Sequence, residues 1–419
     1  MKTRYLKTVW LLSVIFILCG NIPLQARDVA SYITVNGVVK DKKTKKKLEY
    51  VTVSVPGTNI GTITNEDGVF SIKVKDSVQA KAIELSHIGY ANERFAIKDN
   101  DTDIVTIYLT PNINKLKDII VQRIEPRLLV EKAIDKIADN NSLKDNLLTG
   151  FYRETIKKRR NYINITEAII DIYKTPYTED VSRDKVQIYK GRKLLSPKPG
   201  DTLIVKFVGG PTLSAYLDIV KNTDVILDKK TLSYYRYEMS EPVMIDERPH
   251  YVVSFTPQVI LPYALHYGKL FIDQQTYTFS RAEFNLSMDD GNKATEAILR
   301  KKPFKMRFKP EEVSFVVTYK PQNGKSYLNY VRSEVRFKCD MKRRLFSTNY
   351  TIVSEMVVTD RKEDNISKIP RKQVFNERSI LSDKVGSFYD PEFWEDYNII
   401  EPSESLENAV SKLKKQQAR

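Results

Sequence analysis

Residues Gly57–Val74 read GTNIGTITNEDGVFSIKV, with Asn65, Glu66 and Asp67 directly before Gly68. Three oxygen-bearing side chains ahead of a glycine fit either a cation-binding loop or a turn. An EF-hand loop needs oxygen ligands at alternate positions before its glycine and a bidentate Glu six positions after it. Its first and last ligand positions would fall on Ile63 and Val74, which cannot bind calcium. The flanks carry a clearer signal. Thr62 and Thr64 alternate with Gly61 and Ile63, and Phe70, Ile72 and Val74 alternate with Ser71, Lys73 and Lys75. Period two on both sides of Asp-Gly predicts a β-hairpin, because Asp and Gly tolerate the positive φ of a tight turn.

Outward from that turn, ITVNGVVKD, YVTVSV, AIELSHIGY, ERFAI and IVTIYL are short alternating or β-branched runs punctuated by Gly, Asp and Asn. About seven strands at this spacing predict a small β-sandwich over residues 27–111. The pattern also resembles the carboxypeptidase-regulatory-like domain. The resemblance rests on Gly37, Asp41, Thr44, Leu48, Val51, Val53, Gly57-Thr58, Gly61-Thr62, Thr64, Asp67-Gly68, Phe70, Ile72 and Gly89-Tyr90. It implies a prealbumin-like sandwich, of the kind that often begins outer-membrane proteins of Bacteroidetes, including TonB-dependent nutrient receptors. It does not bring a peptidase with it. A zinc carboxypeptidase needs His-x-x-Glu and a distant His. The three histidines, His87, His250 and His266, are followed three residues later by Tyr90, Val253 and Lys269. No catalytic residue, metal site or cofactor is therefore expected.

The first 26 residues carry Lys2, Arg4 and Lys7, an apolar run Val9–Leu18 and Leu24-Gln25-Ala26, the pattern of a secretory signal peptide. Leu18 stands where a lipobox wants a small residue, which argues against lipidation of Cys19. Cleavage after Ala26 would leave Cys339 as the only cysteine, so no intrachain disulfide is expected. The predicted location is the periplasm or the periphery of the outer membrane. With 68 Lys plus Arg against 53 Asp plus Glu, the formal net charge is +15. For an exported protein this favours anionic headgroups or acidic glycans over nucleic acid. The purest basic clusters are Lys40–Lys47 and the terminal KLKKQQAR.

Residues 112–125 read as a linker. From Pro126 an amphipathic helix to Asp139 presents Leu129, Ala133, Ile134, Ile137 and Ala138 on one face. LLTGFYRETIKKRRNYINITEAIIDIYKTPY then predicts two strands joined at Lys157–Asn161, and Gly209-Gly210-Pro211 a turn before a short helix with Leu213, Leu217 and Val220 facing inward. Pro211 lacks an N–H, and no Lys-Ser/Thr follows, so this is not a phosphate cradle. From Ser233 to Val358 long strands alternate one wet and one apolar face, with Cys339 in the apolar register. The expected second domain, 126–402, is a curved antiparallel sheet or half-barrel packed with a few helices, so the chain is mainly β with an α+β second half. A helix with Leu406, Ala409, Val410 and Leu413 on one face, capped by Ser403, occupies 403–419.

YALHYGKLFIDQQTYTFSRAEFNLS (Tyr263–Ser287) is similar in pattern to the lipoprotein-carrier half-barrel, which implies a concave apolar face able to hold acyl chains. LLTGFYRE, GGPTLSAYLDIVK and DPEFWEDYN together resemble an uncharacterised Bacteroidetes envelope family with no catalytic residues to transfer. A transmembrane barrel is disfavoured, because the regular strands are too few and the last stretch is not an aromatic closing strand. The expectation is a non-enzymatic envelope protein that binds a partner protein or an amphiphilic, anionic ligand. Lys269 and Arg281 would sit at a cavity rim and Trp394 would face the ligand or plug the core. The rival is a hydrolase or transferase built on carboxylates such as Asp289-Asp290 or Asp390, Glu392, Glu395 and Asp396.

Overall fold

The computed structural model describes residues 31–97, 103–112, 125–201, 208–299, 306–341, 347–387 and 393–417. The signal-peptide region, most of the 112–125 linker, and Asp390 and Glu392 lie outside these residues.

The amino-terminal domain is a seven-stranded sandwich. One sheet pairs β4 (Val69–Lys75), β1 (Tyr32–Asp41) and β7 (Val105–Leu109); the other pairs β3 (Gly61–Ile63), β2 (Thr52–Ser54), β5 (Ala82–Ser86) and β6 (Glu93–Ala96). Their inward residues, among them Val39, Val53, Phe70, Ile72, Ile83 and Leu85, form one closed core. The Asn65–Gly68 turn is tight, with Gly68 donating to the Asn65 carbonyl at 2.9 Å. It is not a hairpin, however. β3 pairs with β2 and β4 with β1, so the turn crosses between sheets. Thr64 explains the divergence. Its hydroxyl donates to the Leu48 carbonyl at 2.8 Å and accepts from the Val51 N–H at 2.9 Å, tying the end of β3 to the segment leading into β2. Gly68 sits at φ +70°, and a Cβ there would meet the Val39 carbonyl oxygen at 2.7 Å.

The second domain is built on a single sheet of eleven strands. In spatial order these are β11 (Tyr235–Ile245), β12 (Arg248–Pro257), β13 (His266–Asp273), β14 (Phe279–Leu286), β15 (Met306–Gln322), β16 (Lys325–Met341), β17 (Thr348–Lys362), β8 (Asn146–Lys158), β9 (Asn161–Lys174), β10 (Lys185–Leu195) and β18 (Gly386–Ser387). All neighbours are antiparallel except β10 and β18. The sheet predicted from Ser233 to Val358 is thus extended by the earlier hairpin β8–β9, whose first strand pairs with β17, Met356 opposite Tyr152.

The sheet is curved, and its concave face is packed. Helices α1 (Pro126–Asp135) and α3 (Gly210–Tyr216), the segment after α3 and the loop before β18 fill it with Leu129, Ala215, Ile219, Leu227, Phe375 and Leu381. The short α2 (Ile137–Asn140) continues α1. Further along, α4 (Gly291–Ile298) covers a smaller apolar cluster. Cys339 is buried in a separate cluster with Phe308 and Phe337, where burial raises its thiol pKa.

The sandwich docks on the opposite, convex face, held by the carboxy-terminal segment. Trp394 inserts beside Phe151, ring centroids 5.4 Å apart. Thr62 donates to the Ile399 carbonyl, Asn65 to the Pro402 carbonyl, and Asn398 exchanges two hydrogen bonds with the Lys73 backbone. From the sheet side, Arg153 donates to the Ile400 carbonyl at 2.7 Å. Helix α5 (Glu404–Gln417) then lies on β9 and β10 through Leu406 and Leu413.

Candidate functional site

Alternation sets the site. On β16 Val331 and Val335 turn toward the concave side, so Arg332, Glu334 and Arg336 project from the convex side. Arg281 and Glu283 of β14 share that side because Ala282 and Phe284 occupy the core. The docked sandwich covers part of this ladder and contributes Glu49, Tyr50 and Glu66. The result is an open cleft of about 970 Å3 between the domains. The basic β8–β9 turn, with Lys157, Arg159 and Arg160, closes one side of it. A recess of about 210 Å3, also bordered by Tyr50, Arg281 and Tyr330, continues toward Ser86, His87, Asp246 and Lys320.

The β14 and β16 charges in the cleft are mutually engaged. Arg281 meets Glu283 at 2.6 Å, Arg332 meets Glu334 at 2.7 Å, and Glu334 also accepts from Arg336 at 2.5 Å. Tyr330 donates to Glu355 at 2.8 Å and stacks on Tyr50, with centroids 5.8 Å apart. The Arg332 guanidinium lies 5.7 Å from the Tyr50 ring centre, and its buried Nε has no hydrogen-bond partner among the described residues. A buried guanidinium donor without an acceptor is a standing desolvation cost that an anionic oxygen would remove. On the opposite wall, burial and then the nearby Glu66 charge hold the Glu49 carboxyl above its ordinary range. In the recess, burial and then Arg281 push the His87 imidazole down to about 4, so it is neutral near pH 7.

The residues predicted from sequence are not brought together. Arg281 lines both the cleft and its recess. Lys269 is exposed on the convex face of β13, opposite Glu283 across the β13–β14 pair. Neither is at a concave rim, because Leu270 and Ala282 hold the inward register beside them. Trp394, 4% exposed, seals the convex cluster with Phe151, Ile169 and Ile400. The acidic groups among the described residues have partners of their own. Asp290 caps α4 by accepting from Asn292 and Lys293, Asp396 pairs with Lys75 at 3.2 Å, and Glu395 pairs with Lys190 at 2.9 Å. His250 is held between the Arg248 carbonyl and Ser280, and His266 packs against Phe284. Among the described residues no group of three or more His, Cys, Asp or Glu is placed to hold a metal. Tyr50, Arg332 and Arg336 were not singled out from sequence. The available signal was Arg332-x-Glu334-x-Arg336, three charges on one face of one strand.

Residues 35–121 match the CarboxypepD_reg-like domain, which identifies the amino-terminal sandwich as a module of that kind. No curated protein matches the chain. Among solved structures, a DUF1329 family protein from Desulfovibrio piger aligns at 11% identity over 58% of this chain and 96% of that chain, with a TM-score of 0.25. MucB in complex with MucA(peri) aligns at 12% over 58% and 100%, with a TM-score of 0.18, and lipovitellin at 10% over 60% and 28%, with a TM-score of 0.25. At such scores these likenesses carry no functional argument. No helix among the described residues is long and apolar enough to cross a membrane.

Proposed function

We propose that the chain is an exported, non-enzymatic binding component of a Bacteroidetes-type cell envelope, periplasmic or outer-membrane associated, and that its ligand site is the cleft between sandwich and sheet. The ligand or partner presents an anionic group to Arg332, with Arg281 and Arg336 beside it. The sandwich serves as the second wall of the site. The observation that carries this reading is the set of cations, Arg281, Arg332 and Arg336 with Lys157, Arg159 and Arg160, that lines one open cleft. The packing of the concave face by α1, α3 and the loop at Phe375 argues against that face as the seat of an acyl chain. An amphiphile would therefore engage through its headgroup.

The test is titration of residues 27–419 with an anionic polysaccharide and, separately, displacement of a fluorescent fatty acid. The polysaccharide is expected to bind saturably and in a salt-sensitive way. Arg332→Gln should weaken it about tenfold, the scale of one lost charge-assisted hydrogen bond. Saturable fatty-acid binding with no effect of Arg332→Gln would refute the assignment of the cleft.

A further inference from the structure

The turn between β12 and β13 presents apolar side chains to solvent with no partner. Residues 259–265 read Val-Ile-Leu-Pro-Tyr-Ala-Leu. Ile260 is 92% exposed, Tyr263 53% and Val259 38%. The feet of the loop are fixed: the Gln258 N–H donates to the Tyr234 carbonyl at 2.9 Å, and the Ser287 N–H to the Leu265 carbonyl at 2.8 Å. Leu261 packs inward against the main core, which pins the middle of the loop and leaves Ile260 and Tyr263 outward. A bare isoleucine on a supported tip differs from a scattered surface apolar residue, because its neighbours in sequence and space are apolar too.

The surroundings are graded. Tyr267, 42% exposed, begins the convex face of β13 behind the tip. Lys269 lies two residues further on the same face, roughly 7 Å along the strand at about 3.4 Å per residue. It makes no ion pair among the described residues. Arg236 stands nearby on β11, opposite Thr256 at the end of β12. Ile260 is the most exposed, Tyr263 and Tyr267 are each about half-exposed, and the unpaired ammonium of Lys269 follows along the strand, an order that parallels the acyl boundary, interface and headgroups of a bilayer surface. A protein partner would gain from Ile260 equally, but it would not account for this order.

We infer that the β12–β13 tip is a membrane-docking point. Ile260 enters the acyl boundary of a leaflet containing anionic phospholipid, Tyr263 and Tyr267 lie at the interface, and Lys269 meets a headgroup phosphate. This anchoring is peripheral and independent of the interdomain cleft.

The experiment is co-sedimentation of residues 27–419 with phosphatidylethanolamine–phosphatidylglycerol vesicles, and with phosphatidylcholine vesicles for comparison. A Tyr263→Trp variant reports insertion by fluorescence. Expected are preferential binding to the anionic vesicles and a blue shift of the new tryptophan on their addition. Ile260→Asp should lower the partition coefficient about tenfold and Lys269→Glu about threefold, the latter effect vanishing in high salt as charges are screened. Ile260 is so exposed that its substitution should leave the melting temperature unchanged, which a thermal melt verifies. Absence of vesicle binding by the unaltered protein, equal binding by Ile260→Asp, or no spectral shift in Tyr263→Trp would each overturn the inference.

Discussion

On the concave side of the large sheet, Lys174 reaches Asp218 at 2.8 Å and Asp184 at 3.1 Å, and Lys221 lies 3.8 Å from Asp184. Tyr177 and Tyr319 donate to the two oxygens of Asp218 at 3.0 and 2.8 Å. On the convex side, Glu167 receives Arg153 at 2.7 Å and Arg192 at 2.9 Å. Both networks are buried and consist of cations facing carboxylates. Each links a covering segment to a strand: the stretch after α3 to β9 and β15 in the first case, the carboxy-terminal segment to β8 in the second. Arg332 lies on the same convex face but is different, because its Nε has no acceptor. The comparison separates two uses of buried charge. A network that satisfies its members holds a cover in place, whereas the Arg332 cluster keeps a donor unused.

The concave knot should show the largest effect. Asp218→Ala leaves Lys174 fully buried with one carboxylate instead of two and strands two tyrosine hydroxyls. Removing one partner of a buried ion pair costs about 3–5 kcal/mol. Arg336→Ala in the cleft, where Arg336 is 52% exposed, should cost under about 1 kcal/mol. Urea denaturation of both variants measures the contrast. A loss below about 1 kcal/mol for Asp218→Ala would mean that the knot does not hold the cover in place.

The two faces also predict opposite pH behaviour. Burial raises the Glu154 carboxyl on the concave face to about 8, and its one hydrogen bond among the described residues is from the Tyr152 hydroxyl at 3.3 Å. A folded pKa above the unfolded one means stability is complete below about 4.5 and declines as pH rises toward about 8. Glu167 has the reverse sign. Burial alone would raise it, but Arg153 and Arg192 outweigh burial and lower it, so its contribution is present above the unfolded pKa and fades as pH falls through the folded one. Glu154→Gln should therefore be nearly neutral at pH 4.5 and stabilise by about 2 kcal/mol at pH 9, whereas Glu167→Gln should destabilise at both neutral and high pH. Denaturant midpoints at the two pH values check the signs. A Glu154→Gln variant with a flat difference would show that the carboxyl is solvated in the folded state.

The two parities of each long strand could be read from sequence because alternation is local. Val331, Val335, Phe337 and Cys339 separate cleanly from Arg332, Glu334 and Arg336 without any knowledge of neighbours. What covers each face is non-local. Nothing near Met356 signals that it lies opposite Tyr152, and the pairing of β17 with β8 spans about half the chain. The same limit explains the misplaced rim. Lys269 and Arg281 were recognisable as wet-face residues, but that face became a domain junction only because the sandwich docked there. Trp394 was legible as aromatic cover. Its role as a plug depends on Phe151, which is contributed by a strand 243 positions earlier. The turn at Asp67-Gly68 was read correctly in its geometry and incorrectly in its partners, since Thr64, which diverts β3, acts through Leu48 and Val51.

That turn gives a smaller effect than the concave knot, and it joins the two domains. Asp67 accepts a hydrogen bond from the Glu404 backbone N–H at 2.8 Å, at the first residue of α5, and pairs with Lys47 at 3.3 Å. The sandwich thus supplies a carboxylate to the amino terminus of a helix lying on the other domain, where backbone donors are unsatisfied and the helix dipole favours negative charge. The Glu404 hydrogen bond is also the main reason the Asp67 carboxyl lies below its ordinary range. Asp67→Ala should cost about 1 kcal/mol, the usual loss for a helix cap, with the deficit fading as pH falls through the depressed carboxyl pKa. Added calcium should not change the melting temperature of either form. A chain ending at residue 402 distinguishes a cap from a turn residue. It is less stable on its own account, but without α5 the further cost of Asp67→Ala should nearly vanish. If the cost persists undiminished in the shortened chain, Asp67 serves the turn alone and the capping between domains is energetically idle.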